Sequence, residues 1–408
     1  MLLAAACSCG PAVAGPYGSL GHAAPNDGGA VRKVAVFGRD ERVAIPARMS
    51  ALRQSVGLIY SNEARSVCTA FCVADNVVAT AAHCLFRTAG ERPPRLGQFR
   101  FTLHAERKRP SSRIAGYRSG TVGQVVVAGS TELRIEPPID ATSDWALVRL
   151  ASPICRGGKL AVLPATPEQV TGYADRQKLL HVAFHKDFPK WQLASSDRCS
   201  AETAGTERQR RRIERDFKER SRLVLHTCDT GDASSGSPLL AELASGAFAV
   251  VGINVGTYVQ TRLLIEKGRV VRRYKADPIA NTAIAASAFQ NRIAAVATAK
   301  LLTSRRKLRL LQEALRSRHF YTGPRDGRFR PQLRIAIENY ERANGLPAIG
   351  LATVPLLGTL MPPRKLARGY GKSPRRYQRL SRGRLTRRFR VGSAGRTRPP
   401  KAKPAPVD

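Results

Sequence analysis

The sequence lacks any run of about 18 to 20 consecutive apolar residues, so no segment is predicted to span a membrane as a helix. It also lacks paired Cys-x-x-Cys motifs, which are the usual ligand pattern of a structural zinc site. Acidic residues are scarce: 30 Asp and Glu stand against 68 Lys and Arg, a formal net charge of +38. We therefore expect attraction to polyanions, whatever the fold.

The positive charge is concentrated at the C-terminal end. Residues 361–407 contain sixteen Lys and Arg and no acidic residue. Such a segment cannot bury enough apolar surface to fold, so residues 362–408 are predicted to form a disordered basic tail that binds acidic surfaces. Aromatic residues make up only 6% of the chain. The tail has no aromatic residues beyond Tyr370, Tyr377 and Phe389 and no supporting fold, which disfavours a nucleic-acid partner.

The N-terminal end resembles an export signal. Residues 1–14 begin with a short apolar run and end in Ala12-Val13-Ala14, a small-x-small cleavage pattern; the run up to Cys7 also loosely resembles a lipoprotein box. Residues 15–33 are rich in Gly, Ala and Pro and are expected to form a flexible lead or propeptide. A secreted or periplasmic protein is predicted, in which the eight cysteines would form disulfides by default.

Between these two ends the sequence divides into a β-rich part and a helical part. In residues 34–290, short β-branched runs alternate with Gly, Pro, Asp and Ser, which predicts an all-β domain. Residues 291–304 are expected to form a connector. In residues 305–361, apolar residues recur at spacings of three and four, which predicts a small all-α domain.

A turn of small residues supplies a candidate nucleophile. Ser235 stands in Ser-Gly-Ser-Pro, directly before two leucines. A serine on such a turn exposes its hydroxyl, and the turn can direct two backbone N–H groups at a developing oxyanion. A Ser/Gly-rich stretch is more often only a loop, so the meaning of Ser235 depends on partners elsewhere in the sequence.

Two further segments supply candidate partners. His83 in Thr-Ala-Ala-His-Cys follows an apolar strand, and Asp144 opens another apolar strand. A lone histidine is usually structural, and an aspartate in that position is otherwise a strand-edge residue. If Asp144 is buried, however, an imidazole N–H is a suitable partner for it. Asp140 and Ser234 fit these roles less well, because Asp140 precedes no apolar strand and Ser234 lacks a following glycine.

Taken jointly, these three segments resemble the signature blocks of trypsin-like serine proteases, in the same order, over about residues 34 to 275. The resemblance implies a chymotrypsin-like, all-β two-barrel domain and endopeptidase chemistry, which needs no cofactor or metal. His83 would act as general base, Asp144 would orient it, and Ser235 would attack the peptide bond. The backbone N–H groups of Ser235 and Ala233 would form the oxyanion hole.

The resemblance leaves the specificity pocket open, with Asp229, Thr230 and Asn254 as candidate substrate-binding residues. Asp229 lies six residues before Ser235, where family members with basic specificity carry a pocket-floor Asp. The alternative is that it only caps local backbone. The turn and residues 37–43 resemble bacterial glutamyl endopeptidases, which carry a substrate-reading His on the strand after the nucleophile. Asn254 on that strand argues against Glu specificity.

The resemblance also implies disulfides. Family members often carry one beside the histidine, and a second would tie the segment before the nucleophile to the preceding strand. The pairs implied in this way are Cys68–Cys84 and, next, Cys199–Cys228. Cys72 lies within an apolar strand and is as consistent with a buried thiol as with a bridge to Cys155.

Residues 305–360 resemble the three-helix peptidoglycan-binding domain of bacterial wall enzymes. The resemblance is carried by Leu311 and Leu315, by the Asp326-Gly327-x-Phe turn and by Asn344-Gly345-Leu346. It implies an exported serine endopeptidase whose partners are protein or peptide substrates, peptidoglycan through residues 305–360 and acidic surfaces through the tail. The alternative is a catalytically inactive protease-fold protein that binds the cell envelope.

Overall fold

The structure is a computed structural model. It describes residues 13–14, 35–86, 94–103, 110–116, 125–134, 139–188, 191–197, 199–201, 207–266 and 269–361. Apart from residues 13–14, the signal-like segment and the lead up to residue 33 lie outside these ranges. The predicted basic tail also lies outside them.

Strands are the main regular elements of the described residues up to residue 285. In chain order they are β1 (Val13–Ala14), β2 (Val43–Ala44), β3 (Val56–Ser61), β4 (Ser66–Ala74), β5 (Val77–Thr80), β6 (Arg100–Leu103), β7 (Ser111–Arg113), β8 (Val126–Ala128), β9 (Ala146–Arg149), β10 (Ala161–Val162), β11 (Leu179–Phe184), β12 (Leu193–Ser196), β13 (Leu223–His226), β14 (Pro238–Glu242), β15 (Phe248–Glu266) and β16 (Arg269–Ala285).

Within the described ranges these strands form two sheets. The first has the order β7-β6-β3-β4-β5-β9-β8, and the second has the order β13-β16-β15-β14-β11-β12-β2, with β1 and β10 paired to β15. All pairs are antiparallel except β10 with β15. Central strands such as β5 and β11 are buried at every position, so their near-continuous apolar sequence reflects cover on both faces. Two such sheets confirm the predicted two-barrel class.

Six helices lie in the described ranges, two of them between strands and four after the last strand. They are α1 (Pro167–Asp175), α2 (Glu207–Asp216), α3 (Ile293–Thr298), α4 (Arg305–Arg316), α5 (Pro331–Ala343) and α6 (Val354–Leu360), and short 3-10 helices include Ala82–Cys84 and Ala141–Ser143. On α4, Leu308, Leu311 and Leu315 are fully buried, as their spacing predicts. With α5 and α6 they enclose a separate core, which confirms the predicted small helical domain. No helix within the described ranges is long and apolar enough to cross a membrane.

The helical domain packs against the β domain. Ile349 and Leu351, from the loop between α5 and α6, belong to the core of the sheets. Arg292 donates from Nε to the Ala348 carbonyl at 3.0 Å, and its guanidinium lies 5.2 Å from the centre of the Trp145 ring. Arg292 therefore bridges the loop of the helical domain and Trp145, the residue that follows Asp144.

Three disulfides join described residues: Cys68–Cys84, Cys72–Cys155 and Cys199–Cys228. The first and third are the pairs that the resemblance implied. The second decides the alternative left open for Cys72, which is a bridge partner and not a buried thiol. Cys7 and Cys9 lie outside the described residues.

Candidate active site

Strand pairing brings His83 and Asp144 together. β5 and β9 are antiparallel neighbours, with Thr80 opposite Ala146. His83 lies three residues beyond the end of β5, and Asp144 lies two residues before the start of β9. Because the end of one antiparallel strand adjoins the start of its partner, the two side chains leave the sheet at the same place.

Two hydrogen bonds join His83 and Asp144. Asp144 is fully buried; its Oδ2 lies 2.8 Å from His83 Nδ1, and its Oδ1 accepts the backbone N–H of His83 at 2.9 Å. A carboxylate facing Nδ1 requires the proton there, which leaves Nε2 unprotonated in the neutral imidazole. Asp144 therefore sets both the position and the tautomer of His83.

The turn that carries Ser235 contacts the other sheet. Gly236, with φ of +81°, allows this approach: a Cβ there would lie 2.1 Å from Thr80 Oγ1. The backbone N–H of Thr69 in β4 donates to the carbonyls of both Ala233 and Ser235, at 2.9 and 3.0 Å. The second sheet therefore presents Ser235 to the first, which holds His83.

The Cys68–Cys84 disulfide marks where the two parts meet. Cys84 Sγ lies 3.9 Å from His83 Nε2 and 3.9 Å from the Ser235 carbonyl oxygen. Cys68, His83 and Cys84 also place one potential metal-ligand atom each within 4.8 Å of one another. Both sulfurs are consumed by the disulfide, however, so they offer no thiolate to a metal ion.

Two amides of the turn differ from their neighbours. The N–H groups of Ser234, Gly236 and Ser237 donate to the carbonyls of Gly231, Asn254 and Ser234, respectively. Those of Ala233 and Ser235 donate to no group in the described part of the chain. Ala233 has the uncommon φ of +75°, which sets the direction of its peptide. The N–H groups of Ala233 and Ser235, which have no acceptor among the described residues, suit an incoming carbonyl oxygen.

A buried histidine supports this turn through Asn254. Asn254 is 2% exposed, and its Nδ2 donates to the Ser234 carbonyl at 3.3 Å. Because that carbonyl only accepts, Oδ1 of the amide must face the other way, toward His226 Nε2 at 3.2 Å. His226 is therefore the donor, and the contacts of Asn254 fix the turn from within the protein.

A second buried histidine reaches the same carbonyl. Ser237 Oγ donates to the Ser234 carbonyl, so its lone pair faces His181 Nε2 at 2.5 Å. His181 must therefore donate from Nε2. The hydrogen bonds that start at His181 and at His226 therefore both lead to the Ser234 carbonyl, in the peptide that precedes Ser235.

The imidazoles behind the turn are held neutral. Burial lowers the pKa of His181 well below its ordinary value, that of His226 to about 4 and that of His185 to about 3. Nδ1 of each ring has no hydrogen-bond partner among the described residues. A second proton would therefore add a buried charge with no acceptor. No sequence pattern marks these three histidines, since each lies in or beside an apolar strand.

Asp229 and Thr230 have well-defined partners. Both oxygens of Asp229 accept distant backbone N–H groups, from Phe37 at 2.9 Å and Glu41 at 2.8 Å. These contacts are of the capping kind, although the capped backbone is distant, not local. Thr230 Oγ1 donates to Asn281 Oδ1 at 3.2 Å.

Two parts of the chain match known domain families. The sequence profile of the trypsin-like peptidase domain matches residues 68–253, and that of a peptidoglycan binding domain matches residues 304–354. No curated protein matches the chain significantly. A solved structure described as a Glu endopeptidase in complex with MPD is 16% identical, with 64% of this chain and 97% of the other covered and a TM-score of 0.42. A likeness this distant carries no argument about substrate.

Proposed function

We propose that this serine endopeptidase, which carries a trypsin-like peptidase domain and a C-terminal peptidoglycan-binding domain, cleaves peptide bonds with His83, Asp144 and Ser235 as its triad. The observation that carries the proposal is the double contact of buried Asp144 with His83. Beside it lies the turn that carries Ser235, in which the N–H groups of Ala233 and Ser235 have no acceptor among the described residues. All three residues fall within the matched range 68–253.

The chemistry follows from these positions. His83 Nε2 takes the proton of Ser235 Oγ as that oxygen attacks the peptide carbon, and Asp144 stabilises the resulting imidazolium. The N–H groups of Ala233 and Ser235 bind the carbonyl oxygen as it becomes an oxyanion. His83 then protonates the leaving amine, and the acyl-enzyme is hydrolysed by a water molecule that gives its proton to His83.

We propose that the substrate-binding pocket near Thr230 is uncharged. Asn281 Nδ2 donates to the Cys228 carbonyl at 2.7 Å, so its Oδ1 receives the hydroxyl protons of Thr230 and Thr257. Thr257 is partly exposed, which would let substrate reach this cluster. With its carboxylate bound to backbone N–H groups, Asp229 does not provide a free charge for a Lys or Arg side chain. Asn254 would influence the site through its hydrogen bond to the turn that carries Ser235.

We further propose that the enzyme is exported and held at the cell envelope. The support is the match of residues 304–354 to a peptidoglycan binding domain, together with three disulfides and the signal-like N-terminus. The basic tail would add attraction to acidic surfaces without a defined geometry.

A covalent serine probe tests the catalytic proposal. The folded full chain should form a fluorophosphonate adduct on Ser235 and cleave a peptide library, and Ser235→Ala should abolish both. Ser234→Ala is the matched control, because it removes the neighbouring hydroxyl, and it should keep most activity. Absence of an adduct in folded protein would favour the inactive, envelope-binding alternative.

Sedimentation with purified peptidoglycan tests the tether. A chain that ends at residue 361 lacks the tail but keeps the packed helical domain, and it should still sediment with peptidoglycan at high salt. High salt screens the tail's charges. Loss of all binding on removal of the tail would assign retention to charge and reject a specific role for the helical domain.

A further inference from the structure

A pocket of about 780 Å³ opens on the first sheet beside the candidate site. It spans the hairpin between β3 and β4, the neighbouring strands β6 and β7, and Trp191, which lies two residues before β12. The lining residues that matter here are Tyr60, Arg65, Ser66, Val67, Arg100 and Trp191. The proposed triad does not use any of them.

The pocket lies on the side where the leaving group must be. Ser66, in its wall, donates from Oγ to the carbonyl of Cys84 at 2.8 Å. Sγ of the same cysteine lies 3.9 Å from His83 Nε2, the atom that must protonate the leaving amine. A new amino terminus protonated by His83 would therefore form beside the Cys68–Cys84 bridge, and the residues that follow it would extend toward the pocket.

The pocket combines cations with aromatic walls. Arg65 is exposed and Arg100 is half-buried, and neither has an acidic partner among the residues that the structure describes. Glu63, the acid in the same hairpin loop, instead bonds to Gln98. Tyr60 and Trp191 are half-buried, so each offers ring surface to an incoming side chain.

We infer that this pocket binds an acidic side chain in the second residue after the scissile bond. The inference rests on the proposed function. Two arginines without acidic partners attract a carboxylate, which guanidinium groups bind through paired N–H donors. The rings of Tyr60 and Trp191 would cover the methylene groups of Asp or Glu.

Transfer of the acyl group to added dipeptide amides tests the part of the site that binds the residues after the scissile bond. The full chain is given an ester substrate that it hydrolyses, and the dipeptide amides Ala-Asp, Ala-Asn, Ala-Lys and Ala-Leu compete with water for the acyl-enzyme. The Asp compound should capture the acyl group about fivefold to tenfold better than its Asn isostere. Arg65→Gln and Arg100→Gln should each lower that ratio by about twofold to fivefold, with ester hydrolysis unchanged.

Controls keep the result specific. Arg95→Gln removes an exposed arginine that does not line the pocket and should leave the ratio unchanged. Arg65→Glu should move the preference from the Asp compound toward the Lys compound. Equal capture of Asp and Asn compounds, or an acid preference that survives in the double Gln variant, would overturn the inference. Best capture of the Leu compound would show an apolar pocket and would also overturn it. No ester hydrolysis at all would contradict the proposed function itself.

Discussion

The two sides of Ser235 differ in almost every physical respect. Behind it, His181 and His226 are buried, neutral and hydrogen-bonded through Ser237 and Asn254 to one carbonyl. In front of it, the pocket walled by arginines and aromatic rings is open to solvent, and its charged groups lack acidic partners in the described structure. A buried network tolerates no missing partner, whereas an open pocket exchanges its contacts with water.

This difference separates two tasks. The closed side fixes the peptide geometry on which attack and oxyanion binding depend, because a rotation of the Ser234 peptide would break three hydrogen bonds to its carbonyl. The open side can alter preference among substrates without disturbing that geometry. We therefore expect substitutions at buried polar groups to have large effects and substitutions at exposed ones to have small effects.

The largest expected effect is at Asp144. Asp144→Asn should lower kcat/KM by about 10⁴-fold, since an amide no longer holds the Nδ1–H tautomer of His83. Asp140→Asn is the matched control: Asp140 is only partly buried and lies 3.9 Å from Lys218, so activity should change little. Kinetics on one peptide substrate measures both. Equal losses in the two variants would contradict the assignment of the orienting acid.

The next largest effect should come from Asn254. Asn254→Ala leaves a donor on His226 and an acceptor bond of Ser234 unmade in the interior, at a cost of about 1–3 kcal/mol for each group. Both the free energy of unfolding and kcat should fall. Asn62→Ala, at an exposed asparagine that lines the open pocket, should change neither. Denaturant unfolding with parallel kinetics would show the contrast, and a stable, fully active Asn254→Ala would refute it.

The sequence predicted the fold class well, together with a residue set for the site. His83, Asp144 and Ser235 each lie at the end of a strand or on a turn, so short local patterns carry their signal. The histidine network carries no such signal: His181 and His226 are 45 residues apart, and only the pairing of the second sheet aims them at one turn. For Asp229 the sequence left two interpretations open for a similar reason, because its backbone partners lie 188 and 192 residues away.

Low pH should destabilise the folded protein through the buried histidines behind Ser235. The pKa of His226 is about 4 in the folded protein and 6.5 without burial, so below pH 6.5 the unfolded chain binds a proton that the folded chain excludes. Stability should therefore fall as the pH drops from about 6.5 to 4, by about 3 kcal/mol for this residue. Urea unfolding at several pH values measures the loss.

Two variants test whether His226 causes the loss of stability at low pH. His226→Gln keeps a donor for Asn254 but cannot be protonated, so its stability should depend less on pH over this range. His319→Gln removes an exposed histidine of the helical domain and should leave the pH dependence as it is. If both variants keep the slope of the unmodified protein, the buried imidazole is not its source.

The smallest of these effects is expected at Asp229. Asp229→Asn keeps one acceptor oxygen for the N–H groups of Phe37 and Glu41 and loses the other, so the free energy of unfolding should fall by about 1–2 kcal/mol. The cleavage preference should not change, because the carboxylate faces backbone and not substrate. Asp232→Asn, at an exposed neighbour, should be silent in both measurements. A specific loss of cleavage after Lys or Arg in Asp229→Asn alone would return this carboxylate to the substrate pocket and move it to the open side of the comparison.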